Sequence, residues 1–388
     1  MHEQKYLPVN WIDGMKVNKS HFVTQDYSVI YRMAQGTASH LNEYNYGLLP
    51  AADKNMPGAN LYLSIDNQQQ VHLRLLHCQA VTRGGYIIQF EEDTSLNTGY
   101  ITDTPLQLSI PIRELKDSVF YIVITINPYK PVPFGLADFT ESPPRLPHSI
   151  PAFDLSLIPL EEAGKNQLGL FQLPVGKLKI EGQGALLDEQ YIPPCSSINS
   201  HYDLLETHAT LEQFYAKMEL YALQIIQKIM QKKQVNEMAE IVQKLCENIT
   251  IFTASQLAEI KTLCSHQPPL YLINKGCSMA RLLKNTLDYY LGSGKEEFIN
   301  YCTEWCNISQ GELEGSITAL SNHEYDHLNI IASIEKIIDF TRVMTNVLSN
   351  LARLEYIGKR KDAGIFVKEK LVINETEEPR KRKSFLVD

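Results

Sequence analysis

The chain has 388 residues, 44% of them apolar, with 45 Asp/Glu against 36 Lys/Arg for a net charge of −9. That length and composition predict a globular protein of two or three domains, and the acidic balance argues against nucleic acid as the main partner, because neutralising phosphates needs a basic face. No run of about 18 apolar residues is present, Met1-His2-Glu3-Gln4-Lys5 lacks an apolar signal core, and seven scattered cysteines (Cys78, Cys195, Cys246, Cys264, Cys277, Cys302, Cys306) form no disulfide framework, so a cytoplasmic chain without direct membrane insertion is expected.

Up to about residue 200 the pattern is mostly strand-like. Ser20 can cap one early helix from His21 to about Leu41, with Phe22, Val29, Met33 and Leu41 roughly on one face and Gly36 weakening its middle. Leu61–Ile65 and Val71–Leu75 alternate apolar and polar residues, and Gly84-Gly85 marks a hairpin turn before Tyr86-Ile87-Ile88. Leu106–Ile112 and Val119–Ile126 are further strands; Phe120–Ile124 is apolar on both faces, as a central strand of a sandwich would be. Eight of the nineteen prolines lie between Pro128 and Pro159, which reads as a surface excursion, either a binding loop or a connector wrapped on its own domain. Gly182-Gln183-Gly184 is a turn between strands.

Beyond residue 200 the pattern is helical. Leu204, Leu211, Met218 and Ile225 recur every seven residues, with Tyr215, Ala222 and Ile229 on the companion row; Lys232-Lys233 ends the run. Met238, Ile241, Val242, Leu245 and Ile249 form a second stripe. Ile330, Ile337, Met344 and Leu351, with Ile334, Thr341 and Leu348 beside them, predict a last helix from Leu328 to Ile357, about 45 Å long at about 1.5 Å per residue. Such seams suit a stem, packed within one chain or shared between chains. The expected architecture is α+β and multidomain: a β-sandwich over residues 1–200, a helical bundle neck over 201–358 and a short extension over 359–388 that ends in the basic run Arg380–Lys383.

Three motifs invite a chemical reading. His323-Glu324-Tyr325-Asp326-His327 matches the zinc-peptidase pattern H-E-x-x-H, in which two histidines one helical turn apart hold the metal. Against it stand the extra charge of Asp326, the lack of a clear third ligand (Glu335 sits on a helix that runs away) and a position suited to the acidic first turn of the last helix. Gly292-Ser293-Gly294-Lys295 hints at a phosphate loop but lacks its first glycine and carries Glu296 where Ser or Thr would bind magnesium, so a helix-ending turn is expected. Cys302 and Cys306 share a helix face without a second ligand pair and read as core residues. No catalytic residue, cofactor or metal is assigned.

Two segments resemble the TssK family of type VI secretion baseplate proteins. Trp11, Asp13, Gly14, Met15, His21, Phe22 and Asp26 fall on that family's opening pattern, followed by Tyr46-Gly47-Leu48; Lys19-Ser20 departs from it, since proline-glutamine usually precedes the histidine. Leu187 to Cys195, through Tyr191-Ile192-Pro193-Pro194, resembles the family's segment before its helices. The likeness covers about residues 7–250. These residues also have physical roles: Trp11 ends a strand as an apolar anchor, Gly14 permits the turn into a helix, Phe22 packs that helix onto the sheet, and Pro193-Pro194 stiffens the exit from the sheets, with contact to a partner the other reading.

The resemblance implies a non-enzymatic homotrimer with a sandwich shoulder and a helical neck. Such a trimer docks on the TssF–TssG wedge and links it to a membrane-anchored complex at the inner face of the inner membrane. Family members typically add a C-terminal head of about a hundred residues. Only 31 residues run from Gly358 to Asp388, so the far end of the neck, with its basic tail, is expected to meet a different membrane-complex protein. A phage-type trimeric baseplate or receptor-binding protein is one alternative, and a zinc metallopeptidase through His323 and His327 the other.

Overall fold

The computed structural model describes residues 5–50, 58–92, 105–135, 137, 139–165, 168–182 and 184–358. An irregular arm leads into α1 (Lys19–Ala38), whose cap is Asn18 rather than Ser20: the Asn18 side chain accepts from Ser20 N at 3.0 Å, and His21 Nδ1 accepts from Asn18 N at 3.2 Å. Because the helix stops at Ala38, Gly36 falls in its last turn, where its cost is small.

Nine strands follow among the described residues, in two antiparallel sheets. The first centres on β3 (Gln70–Val81), flanked on one side by β1 (Gly47–Leu48) and β2 (Ala59–Ile65) and on the other by β4 (Ile87–Glu91) and β5 (Leu106–Pro111). The second runs β7 (His148–Pro159), β6 (Val119–Phe134), β8 (Gln172–Glu181), β9 (Gly184–Leu187). The alternating residues Leu73, Leu75, Ile88, Ile122, Ile124 and Leu173 meet in one buried core between the sheets. The other face of β6 puts Tyr121 and Val123 against Ala163 and Tyr191, and α2 (Leu160–Lys165), a helix that sequence reading missed, supplies Ala163. This cover explains why Phe120–Ile124 is apolar on both faces. The turn expected at Gly182 includes Gln183, which lies outside the described residues.

Five of the eight prolines lie in strands rather than in a loop, Pro128, Pro131 and Pro133 in β6 and Pro151 and Pro159 in β7; Pro143, Pro144 and Pro147 lie in the connection between them. β6 pairs with β8 only up to Thr125, then continues to Phe134 paired with β7 alone, with a register shift between Asn127 and Pro131. Past Ile126, whose N–H still donates to Phe171 O at 3.0 Å, no third described strand lies beside β6, so the missing N–H groups of Pro128, Pro131 and Pro133 cost no ladder bond on that side. The result is a two-stranded arm projecting beyond the second sheet.

The chain leaves the sheets through Tyr191, Ile192, Pro193, Pro194 and Cys195, all buried. This segment runs parallel to β1 and bridges it: Leu48 N donates to Pro194 O at 2.7 Å and Ser196 N to Leu48 O at 2.9 Å. Gly47 sits there at φ +119, and a Cβ would lie 2.0 Å from Pro194 O, so no other residue fits.

The helical region comprises α3 (Tyr202–Gln231), α4 (Glu237–Thr262), α5 (Pro269–Asp288), α6 (Lys295–Cys306), α7 (Gln310–Ser321) and α8 (Ile330–Arg353). The heptad rows of α3 and α8 close within this chain. Leu204, Leu211, Met218, Ile225, Ile330, Ile337, Met344 and Leu351 are all buried, and Phe214 of α3 meets Phe340 of α8 at 5.7 Å in an edge contact. The last helix is shorter than expected at 24 residues, about 36 Å, because residues 322–329 are irregular and the chain turns away after Arg353.

Candidate docking surface

The zinc motif fails on geometry. His323 to His327 lie in the irregular connection between α7 and α8, so the helical i, i+4 spacing that would aim both rings at one metal does not exist. Each ring is already satisfied by other partners. His323 accepts at Nδ1 from Lys336 Nζ at 2.8 Å and bonds Ser333 Oγ through Nε2 at 2.7 Å. His327 donates from Nε2 to Tyr46 O at 2.9 Å and accepts at Nδ1 from Tyr325 OH at 2.7 Å. Burial lowers the His327 pKa to about 4, so this fully bonded ring is neutral. Among the described residues no group of three or more His, Cys, Asp or Glu is placed to hold a metal.

These bonds give the motif a different role. Tyr46 belongs to the strand region, and Tyr121 of β6 donates to Leu328 O at 3.3 Å. Residues 323–328 therefore strap the start of α8 onto the sheets. The other chemical motif is equally structural. Lys295, which begins α6, pairs with Asp288 at 2.7 Å and Glu314 at 3.4 Å, which leaves no phosphate cradle. Cys302 and Cys306 are buried in the helical core.

The resemblance-carrying residues at the N-terminus have an unexpected location. The arm is pinned at its start: Tyr6 stacks on Tyr129 at 3.9 Å, Tyr27 OH donates to Tyr129 O at 2.8 Å, and Val9 N donates to Gln25 Oε1 at 3.3 Å. Burial and the Tyr86 hydroxyl raise the Tyr129 pKa far above its ordinary value, consistent with a neutral aromatic cluster. Past this anchor the arm turns at Gly14 (φ +76) with open space around it, so the glycine serves conformation rather than close packing.

Trp11 does not end a strand, and Phe22 does not pack α1 onto the sheet. Trp11 leans on His21 and Phe22, at ring distances of 6.1 and 6.3 Å, yet remains 47% exposed and Phe22 59%. Val29 and Met33 continue the Phe22 stripe along α1 and are exposed, as are Leu7, Ile12 and Val17 on the arm. Asp13 and Asp26 are exposed and Met15 and His21 half-buried. The helix buries its opposite side instead, through Ser28 and Ala34, with Tyr27 and Ile30 half-buried beside them. An amphipathic helix normally hides its large apolar stripe; here the stripe faces outward together with an exposed tryptophan. These exposed apolar side chains make the arm and the outer side of α1 the candidate docking surface. Tyrosine spacing gave no signal for the Tyr6–Tyr27–Tyr129 anchor, because Tyr27 and Tyr129 are 102 residues apart in sequence.

No family model matches the chain, and no curated protein matches it. Solved structures do. A crystal structure of TssK is similar at 13% identity and a TM-score of 0.51, covering 89% of this chain and 70% of that one. TssK from the type VI secretion system of EAEC, in complex with a nanobody, is similar at 11% identity and a TM-score of 0.44, covering 84% and 98%. The TssK–TssF–TssG baseplate subcomplex contains a chain similar at 11% identity and a TM-score of 0.45, covering 88% and 99%. The first of these likenesses shows the fold: an N-terminal sheet region followed by helices, arranged as in TssK.

Proposed function

We propose that this chain is a non-enzymatic structural subunit of a type VI secretion baseplate. In this reading it docks through the exposed face of its N-terminal arm and α1 onto TssF and TssG, and as a homotrimer connects that wedge to a membrane-anchored complex. One observation carries the reading: on a TssK-like fold, the aromatic residues that resemble the TssK opening, Trp11 and Phe22, lie outside the core. Core packing gives no reason for a tryptophan and a phenylalanine there, whereas aromatic residues dominate the energetics of protein interfaces.

A trimer multiplies each weak contact, so no deep pocket is required. Its threefold contacts must use surfaces other than the heptad seams, which are consumed inside each chain. No helix among the described residues is long and apolar enough to cross a membrane, in keeping with a chain held at the inner membrane by its partners from the cytoplasmic side. The far end of the helical region is the proposed contact with a membrane-complex protein; the basic tail assigned to that contact lies outside the described residues.

The test is co-purification of the full chain with TssF and TssG from the same secretion cluster, with the particle mass read by light scattering. Three copies per particle and retention of both proteins are expected, and Trp11→Ala with Phe22→Ala should abolish the retention. A monomeric mass together with wedge binding that ignores both substitutions defeats the proposal.

A further inference from the structure

The two sheets and the helices meet around a small pocket of about 200 Å3. That is below the range of about 300–1,000 Å3 usual for small-molecule sites, and it suits one or two side chains. β2 supplies one wall through Asn60 and Leu61, β8 another through Gly176 and Lys177, and Tyr191 of the exit segment and His201, the cap of α3, complete it. Both strand walls carry register shifts: one falls between Asn60 and Leu61 against β3, and Val175 is skipped by the β6–β8 ladder. Bulges of this kind re-aim side chains beside functional sites. The walls also approach closely, since a Cβ on Gly176 would lie 2.5 Å from Leu61 Cδ1.

Three hydrogen-bond donors among the lining residues have no described acceptor. Lys177 Nζ stands over the rings of Tyr191 and Tyr121, 4.8 and 5.2 Å from their centroids, and pairs with no described carboxylate. One acid of the wall, Asp188, is taken by Lys179 at 3.1 Å, and the other, Glu189, is exposed. Tyr191 is buried, and its hydroxyl has no hydrogen-bond partner. His201 accepts at Nδ1 from Asp203 N at 3.3 Å, which leaves the proton of the neutral ring on Nε2, where no described residue receives it. Burial lowers the pKa of both Lys177 and His201, as it does for groups that have given up water. A buried polar group without a partner is costly, so one kept at the wall of a pocket calls for an acceptor from outside.

We propose that this pocket binds a carboxylate, carried in as the glutamate or aspartate side chain of a protein that docks across the junction of sheets and helices. An ammonium, a phenol and an imidazole N–H all donate, and a carboxylate offers only acceptors together with the negative charge that Lys177 lacks. The volume suits a single side chain, and Asp188 and Glu189 disfavour a doubly charged phosphate. Lys177 already rests on its two rings, so only the entering side chain has to be ordered. The site shares no residue with the arm or α1 and stands apart from the docking surface described above.

The experiment acetylates the purified full chain with acetic anhydride and reads the rate at Lys177 by mass spectrometry, with Lys244 as the internal reference. The probes are N-acetylglutamate N-methylamide, its glutamine counterpart and acetate, at constant ionic strength. So small a ligand binds on the order of millimolar, and about 100 mM saturates it. The glutamate probe should slow acetylation of Lys177 several-fold and leave Lys244 unchanged, while the glutamine probe does nothing and acetate protects less. Tyr191→Phe should abolish the protection. Because no described residue bonds that hydroxyl, its loss should leave the urea midpoint unchanged or raised. The proposal is overturned if the glutamate probe gives no protection, if the glutamine probe protects equally, or if protection survives Tyr191→Phe. A lowered urea midpoint in Tyr191→Phe also overturns it, by giving the hydroxyl a partner within the fold. Equal protection by acetate assigns the pocket to a free small acid and overturns the protein-borne source; the three probes on the unsubstituted chain need no variant.

Discussion

The strand region and the helical region use apolar residues in opposite ways. In the helices, every residue of the two heptad rows is inside, and the seams that could have joined chains are spent on joining α3 to its neighbours. In the strand region the sheets bury their own alternating residues, but the arm and α1 turn Trp11, Phe22, Val29 and Met33 outward. A periodic apolar row says which residues share a face; what covers that face is decided by the rest of the chain.

Substitution separates the two behaviours, and the largest effect belongs to the helical core. Phe340→Ala removes a fully buried ring from the α3–α8 contact and should cost about 3–5 kcal/mol in urea unfolding. A loss as small as that of a surface residue would mean that α8 faces another chain after all.

The strap between the regions comes next. The His327 pKa is about 4 in the folded chain against an ordinary 6.5, mainly through burial. Because the folded value is depressed, protons prefer the unfolded chain, so the stabilising effect is complete above about pH 6.5 and disappears as the pH falls toward 4. The full difference is on the order of 3 kcal/mol. His323 and His201 are shifted in the same direction and steepen the same fall. His327→Gln should therefore flatten the decline of the urea midpoint between pH 7 and pH 4.5 without abolishing it; an unchanged slope removes His327 from this role.

Gly47→Ala should cost about 2 kcal/mol or more, through the clash with Pro194 O and an unfavourable positive φ. Thermal unfolding reads it directly, and a neutral result would mean that the bridge between the two resemblance segments is loose.

Smallest in stability and largest in binding is Phe22→Ala with Trp11→Ala. Each should change unfolding by only about 0.5 kcal/mol, as exposed positions do, while partner retention falls by tenfold or more, in line with the roughly 2 kcal/mol of an interface hot spot. A large loss of stability would instead return both rings to a structural role.

Much of the architecture was legible because its signals are local. Alternation placed β2 and β3, apolar runs placed β5 and the start of β6, Gly84-Gly85 placed a hairpin, and seven-residue spacing placed α3 and α8. The misreadings arose where tertiary context decides. Prolines in β6 looked incompatible with a strand because the sequence does not show that its pairing with β8 stops at Thr125. The H-E-x-x-H spacing matters only on a helix, and residues 323–327 are held instead by Tyr46, 281 residues from His327. Of the four residues grouped on one face, Phe22, Val29 and Met33 share it, while Leu41 lies past the end of α1 and packs on the core; the exposure of that face depends on the tyrosines on the opposite side.

The paired arm of β6 and β7 has one more consequence. Two strands without a third neighbour present bare edges, and such edges recruit strands from other molecules into open-ended assemblies. On the outer edge of β6, Pro128, Pro131 and Pro133 have no amide hydrogen to offer an incoming strand. The arm can therefore extend beyond the second sheet and still discourage promiscuous growth.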